Sequence, residues 1–369
     1  MPPCAVLHVV TSTQRRGAET FAVDLAAALA ARGLHSEVVA LAPGLATAAG
    51  GGTHDVPVLG EAPLAPATLR ALRRWAAGAQ VVVAHGSRTL PACAAALAGR
   101  RAPVVYRSIG DPAAWAGGRL RRARTRLLIG RMAAVTVLWP AAGDSVRALY
   151  GVPRERIHVI PNGVPADRCP VPDAGARRAA RRRLGLPDGA PVVAAIGALT
   201  PEKRVGDAVA ACAALEGVHL LVAGGGPERE ALERHARAAA PGRVHFAGTL
   251  PGADEALAAA DVVVLASRTE GMPGVLIEAG LSGTPAVATD VGGVSQIVRD
   301  GETGLLVTPG DTAGLTAGLR RALAASDRLG AAARQRCRDT FEIGPVADRW
   351  AALAAALGAR PVPDAGTGP

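Results

Sequence analysis

Val262-Val263-Val264-Leu265-Ala266-Ser267-Arg268-Thr269-Glu270-Gly271-Met272-Pro273-Gly274-Val275-Leu276-Ile277-Glu278-Ala279-Gly280 is the stretch that decides the fold. A short β-branched apolar run reads as a buried strand, Gly271, Pro273 and Gly274 mark a turn, and the residues that follow read as a helix. A strand passing straight into a helix is part of a βαβ unit, which predicts a parallel sheet. Free backbone N–H groups at such a helix start attract phosphate. Two carboxylates bracket the turn, Glu270 before the helix and Glu278 about one turn inside it. Carboxylates accept hydrogen bonds from vicinal hydroxyls, so a phosphate cradle between them suits a ribose on one side and a hexose on the other. The same two acids would also serve as an N-cap acid and a solvated helix glutamate.

Outward from this stretch the alternation continues. Strand candidates at Val192–Ile196, Val218–Val222, Val244–Phe246, Pro285–Ala288 and Leu305–Val307 are separated by helical runs at Val205–Leu215, Glu228–Ala239, Glu255–Ala259, Val294–Arg299 and Thr312–Ala325. The first half repeats the pattern: strands at Val6–Val10, Ser36–Leu41, Val81–Ala84, Val104–Tyr106, Ala134–Leu138 and Ile157–Ile160, with helices at Ala18–Ala31, Pro66–Ala77 and Gly118–Met132. Ile160-Pro161-Asn162-Gly163-Val164-Pro165 ends the first series, and Arg177–Arg183 reads as a solvated helical connector. The expected fold class is α/β, two Rossmann-like doubly wound domains facing across a cleft at residues 1–163 and 164–344. A helix at 345–358 is expected to cross back to the first domain, and a Pro/Gly tail at 359–369 to be disordered.

A chain of 369 residues suits two domains. Mean hydropathy is +0.23, yet no apolar run reaches the roughly 18 residues of a membrane span. The start of the chain lacks the charged and apolar regions of a signal peptide, which predicts a cytoplasmic protein. Five scattered cysteines without a CxxC pair predict buried free thiols. The net charge of +10 is concentrated: residues 1–160 carry +11 and the remainder −1. That excess suits phosphates, acidic acceptors or an anionic membrane, and Gly118–Arg131 is a basic amphipathic candidate for peripheral contact with the inner membrane face. Aromatics at 2% supply few stacking platforms, which argues against nucleic acid.

Forty of the 41 basic residues are arginine, so Lys203 stands alone. It lies in Gly197-Ala198-Leu199-Thr200-Pro201-Glu202-Lys203-Arg204, directly after a strand, where a point charge can reach a diphosphate. Gly224-Gly225-Gly226 forms another glycine turn but lacks the GxGxxG frame of a dinucleotide fingerprint. In the first half Gly17, between a strand and a helix, permits close backbone approach to a phosphate. His85, Arg107 and Asp111 follow strands and are candidate first-domain site residues. No Asp-x-Asp occurs, so no diphosphate-bridging metal of that kind is expected.

Together Gly17-Ala18-Glu19, Ile160–Val164, Leu199–Lys203, Leu221–Glu228, Val244–Gly248, Asp261–Glu278 and Gly283–Asp311 resemble the family 4 retaining glycosyltransferases of the GT-B fold. The resemblance implies a UDP- or GDP-sugar donor held by the second domain, an acceptor held by the first, and no cofactor. It implies that Lys203 neutralises the diphosphate, that Glu278 binds the ribose, and that Glu270 with Gly271, Met272, Pro273, Gly274 and Val275 holds the hexose and phosphates. Ala198 stands where the family often has arginine, with Arg204 as a compensating cation, and the loop from Arg107 to Pro112 lacks the family's frequent histidine. The expected function is retaining, metal-independent transfer of a hexose to a hydroxyl of a glycan, lipid-linked glycan or natural product. The alternative is a non-catalytic sugar-nucleotide binder.

Overall fold

The computed structural model describes residues 3–44 and 52–361. They form two compact units, the first built from residues 3–44, 52–163 and 343–361 and the second from 164–342. In the first unit β1 (Cys4–Ser12), β2 (Ser36–Ala42), β3 (Ala79–His85), β4 (Val104–Arg107), β5 (Ala134–Val137) and β6 (Ile157–Val159) form a parallel sheet in the order β2-β1-β3-β4-β5-β6. In the second unit β7 (Val192–Ile196), β8 (His219–Ala223), β9 (Val244–Gly248), β10 (Val262–Leu265), β11 (Ala286–Thr289) and β12 (Gly304–Val307) are ordered β12-β11-β10-β7-β8-β9, also parallel. Each of the twelve expected strands is present.

Burial explains the unbroken apolar runs. All of Val262–Leu265 is buried because β10 is an interior strand covered on both faces, and each such side chain contributes about 1.5–3 kcal/mol relative to exposure. Strand order reverses between β1 and β3 in the first sheet and between β7 and β10 in the second. Loops leaving the carboxyl ends of strands diverge at such a switch point and leave a crevice.

Several expectations change. Helices at Leu90–Ala96 and Pro140–Tyr150 were not anticipated, because short Ala-rich runs opened by proline give little periodicity. The connector is a helix, Ala174–Arg183, but it is not solvated throughout. Arg181 is 4% exposed and donates to Asp261 Oδ2 at 2.9 Å and to the carbonyls of Ala259, Asp188 and Ala190. Arg177 joins the same carboxylate at 2.7 Å. The last helix runs Ile343–Ala356, and Trp350 and Val346 pack it into the core of the first unit with Phe21 and Leu25. Ala359 is buried and Arg360 N donates to Gln80 Oε1, so the tail is packed at its start, where disorder was expected. Residues 362–369 of that tail lie outside the described residues. All five cysteines are buried and free.

Candidate active site

Two loops flank the switch point of the second sheet. One leaves β7 and carries Lys203 at the end of the single turn Pro201–Lys203, and the other leaves β10 and carries Ser267 and Glu270. Lys203 Nζ donates to Glu270 Oε1 at 2.6 Å, and Ser267 Oγ donates to the same oxygen at 2.6 Å. The Glu270 side chain is 9% exposed and that of Lys203 27%, so the acid is the buried anchor and the ammonium the reachable end. Bonds to the backbone fix both loops: Arg268 N donates to Glu202 O at 2.8 Å, the Thr289 hydroxyl Oγ1 to Ser267 O at 2.6 Å, and Gly293 N to Gly271 O at 2.7 Å. Gly292 adopts φ 56°, and a Cβ there would collide with Glu270 O. Ser267 and Gly292 were missed in the sequence; the Gly292-Gly293 pair after a strand was the available signal.

Pro273 precedes the helix Gly274–Leu281, whose start has no side-chain cap. Uncapped N–H groups at the positive end of a helix are the chemistry that suits an anion. Met272 and Pro273 are buried, whereas Gly271, Gly274, Val275 and Glu278 are partly accessible, a spacing that puts the last three on one helical face. The Glu278 charge acts on Cys169, whose thiol is pushed up to about 12, first by burial and then by this carboxylate. Arg204 is the one non-glycine residue at positive φ among the described residues, and its Nε donates to Asp207 Oδ2 at 2.6 Å. That bond uses one edge of the guanidinium, whose side chain is 39% exposed. The glycine turn 224–226 packs beneath the loop: Leu199 N donates to Gly225 O at 2.9 Å, and Glu228 N to Leu199 O at 3.1 Å. That turn supports the Lys203 loop through its backbone.

In the first unit Gly17 opens the helix Gly17–Ala30, exposed, with nothing within 4 Å of the place a Cβ would occupy. His85 and Arg107 come together at the ends of β3 and β4, with a partner the sequence did not reveal: His8 Nδ1 lies 3.0 Å from His85 Nε2, and Arg107 Nη1 lies 3.4 Å from His85 Nδ1. If the guanidinium donates to His85 Nδ1, then His85 Nε2–H donates to His8 Nδ1, leaving His8 Nε2 buried without a partner among the described residues. Arg107 also donates to Asn162 Oδ1 and lies 3.9 Å over the Phe21 ring. Burial, aided by the Arg107 charge, pushes His8 down to about 3 and His85 well below its usual value; burial lowers Arg107 to about 9. Asp111 is not part of this cluster. It caps the short helix Pro112–Trp115, accepting from Ala113 N at 2.9 Å.

Among the described residues no three His, Cys, Asp or Glu side chains gather as a metal-ligand set, and no helix is long and apolar enough to cross a membrane. Residues 15–168 match the family model of Glycosyltransferase Family 4, and residues 190–325 match that of Glycosyl transferases group 1. The chain belongs to glycosyltransferase family 4.

Relatives of this family 4 chain include the D-inositol 3-phosphate glycosyltransferase of Nocardia farcinica, 39% identical over 196 residues that make up 49% of this chain and 43% of that protein. The glycogen synthase of Mycobacterium tuberculosis is 34% identical over 267 residues, 68% of this chain and 62% of that protein. The chain thus spans between about two fifths and three fifths of the length of these curated relatives. The structure of Anabaena HepE in complex with UDP and glucose superposes with a TM-score of 0.83 at 22% identity, covering 96% of this chain and all of that one. The family 4 chain therefore has the GT-B fold.

Proposed function

We propose that this chain transfers a hexose-type sugar from a UDP- or GDP-sugar to an acceptor hydroxyl, with retention at the anomeric carbon and without a metal. The observation that carries this reading is the Lys203–Glu270–Ser267 hydrogen-bond chain at the switch point of the second sheet, beside an uncapped helix start. Lys203 and the helix N–H groups meet the diphosphate, Glu278 accepts from the ribose hydroxyls, and Gly271, Gly274 and Val275 give the sugar room to approach the backbone. The bond from the anomeric carbon to the diphosphate oxygen breaks, and a bond to the acceptor oxygen forms on the same face. The acceptor proton leaves with the diphosphate. Charge develops on that leaving group, so a cation placed beforehand lowers the barrier more than it tightens the ground state.

HepE was solved with UDP and glucose, which supports UDP as the nucleotide, while an inositol phosphate and a glycogen enzyme among the relatives support a hydroxyl acceptor. No cofactor beyond the donor enters this reading. A second reading, a sugar-nucleotide binder without turnover, draws on Ala198 and on the engagement of Arg204 with Asp207. Incubation with UDP- and GDP-sugars and an acceptor panel, read by mass spectrometry, separates the two: donor consumption with a glycosylated product supports transfer, and tight binding without consumption supports the binder. The anomeric proton coupling of the product tests retention, and unchanged turnover in a chelator tests metal independence.

A further inference from the structure

A cavity of about 560 Å³ opens wholly within the first unit, between residues 62–65, the segment 87–91 that follows β3, and the helix Arg119–Gly130. It shares no residue with the site in the second unit. Its volume is that of a small-molecule site, and residues 87–91 place it beside the switch point between β1 and β3.

Three guanidinium groups line it, Arg88 from the segment after β3 and Arg121 and Arg124 from the helix. All three are exposed, and among the described residues none donates a hydrogen bond or forms an ion pair. The helix Arg119–Gly130 contains no acid, so Arg121 and Arg124, three residues apart on one face, have no counter-ion within their own helix. Arg88 also feels the charge of the buried Glu19, whose pKa burial raises and the nearby Arg16 and Arg88 charges lower. Leu64, Leu90 and Leu128 supply apolar wall, and Ser87 and Thr125 add hydroxyls.

We propose that this cavity holds the phosphate group of a phosphorylated acceptor, a deepening that rests on the transfer reading above. Forked guanidinium donors match phosphate oxygens, and several cations suit a dianion better than a singly charged carboxylate. The leucines cover the uncharged body of the same molecule. A soluble sugar phosphate and a phospholipid headgroup share this chemistry. For the lipid, Leu120 and Leu127 of the same helix, 89% and 64% exposed, would enter the acyl boundary.

The test compares the full chain with its Arg121→Glu/Arg124→Glu variant, whose altered side chains are exposed. UDP affinity is measured first. With UDP saturating the donor site, calorimetry then follows glucose 6-phosphate and inorganic phosphate, and cosedimentation follows vesicles of phosphatidylglycerol against phosphatidylcholine. Expected is binding of one phosphate source by the unaltered chain and a loss of about tenfold or more in the variant, with UDP affinity within about twofold. Binding of the sugar phosphate identifies a soluble acceptor, and binding of phosphatidylglycerol vesicles alone identifies a headgroup. If the unaltered chain binds UDP but neither source, or the variant binds equally well, the proposal is overturned. If phosphate binds and UDP does not, the donor reading falls while the cavity assignment stands; if neither binds, both fall.

Discussion

Lys203 Nζ lies 2.6 Å from Glu270 Oε1, so the single lysine of the chain is held by the carboxylate that opens the turn after β10. The pair joins two loops that diverge at the strand-order reversal, and it leaves the ammonium more exposed than the acid. Lys203→Ala is expected to lower kcat by roughly 10²-fold or more while leaving thermal stability close to that of the parent, because charge on the leaving group develops chiefly in the transition state. Steady-state kinetics beside a melting curve decides it. Near-normal turnover would show that a different cation meets the diphosphate.

The two glutamates should fail differently. Glu270→Gln keeps an acceptor for Ser267 but removes the charge that anchors Lys203, so transfer is expected to fall while affinity for free UDP stays within about threefold. Glu278→Gln weakens hydrogen bonds to a ribose and is expected to cost about 1–3 kcal/mol of UDP affinity. Calorimetry with UDP and GDP on both variants reads the difference. Equal losses, or the reverse order, would mean the donor lies the other way round or touches neither acid.

The twelve strands were legible because parallel strands covered on both faces need unbroken apolar runs, and short runs separated by helical patterns have few other interpretations. Lys203 and Glu270 were legible as separate residues at strand ends. Their ion pair was not, since it joins residues 67 apart through the sheet order. His8 was invisible for the same reason: it sits inside the apolar run Ala5–Val10 and meets His85 77 residues later. Arg181 resembled its solvated neighbours in an arginine run, and the packing of Asp261 against that helix is what buries it. Asp111 carried the mark of a site residue and of an N-cap alike, and local sequence does not separate the two.

The buried His8–His85 pair sets an acid limit on stability. Both pKa values are lowered on folding, so as pH falls through about 6.5 the unfolded chain takes up protons that the folded chain refuses until about 3 for His8. This stability is complete above about pH 6.5 and is lost progressively below it. At about pH 5 the loss from His8 alone is about 2 kcal/mol, equivalent to a Tm drop of roughly 4–8 °C. His8→Gln is expected to lower Tm at neutral pH yet flatten its fall toward about pH 5. Parallel melting profiles for parent and variant across that range would exclude the pair as the source.

Gly292 and Gly17 separate folding from ligand approach. At Gly292, φ is 56° and a Cβ would run into the backbone oxygen of Glu270, so Gly292→Ala must shift the turn that presents Glu270 and, through it, Lys203. Both the left-handed backbone and the collision oppose the methyl group, and about 1–3 kcal/mol of stability is expected to go with it. Turnover should fall further than stability, since a displaced Glu270 no longer fixes the ammonium. Gly17 meets nothing within 4 Å and has an ordinary helical position, so Gly17→Ala should melt at or slightly above the parent temperature. If a phosphate approaches that backbone, as the strand-to-helix turn suggests, Gly17→Ala will raise the KM of a phosphate-bearing substrate without loss of fold; full activity in this variant would exclude Gly17 from substrate binding. Melting curves and initial rates on the two variants give the answer together, because a stability loss at Gly292 and a purely kinetic loss at Gly17 have no common cause.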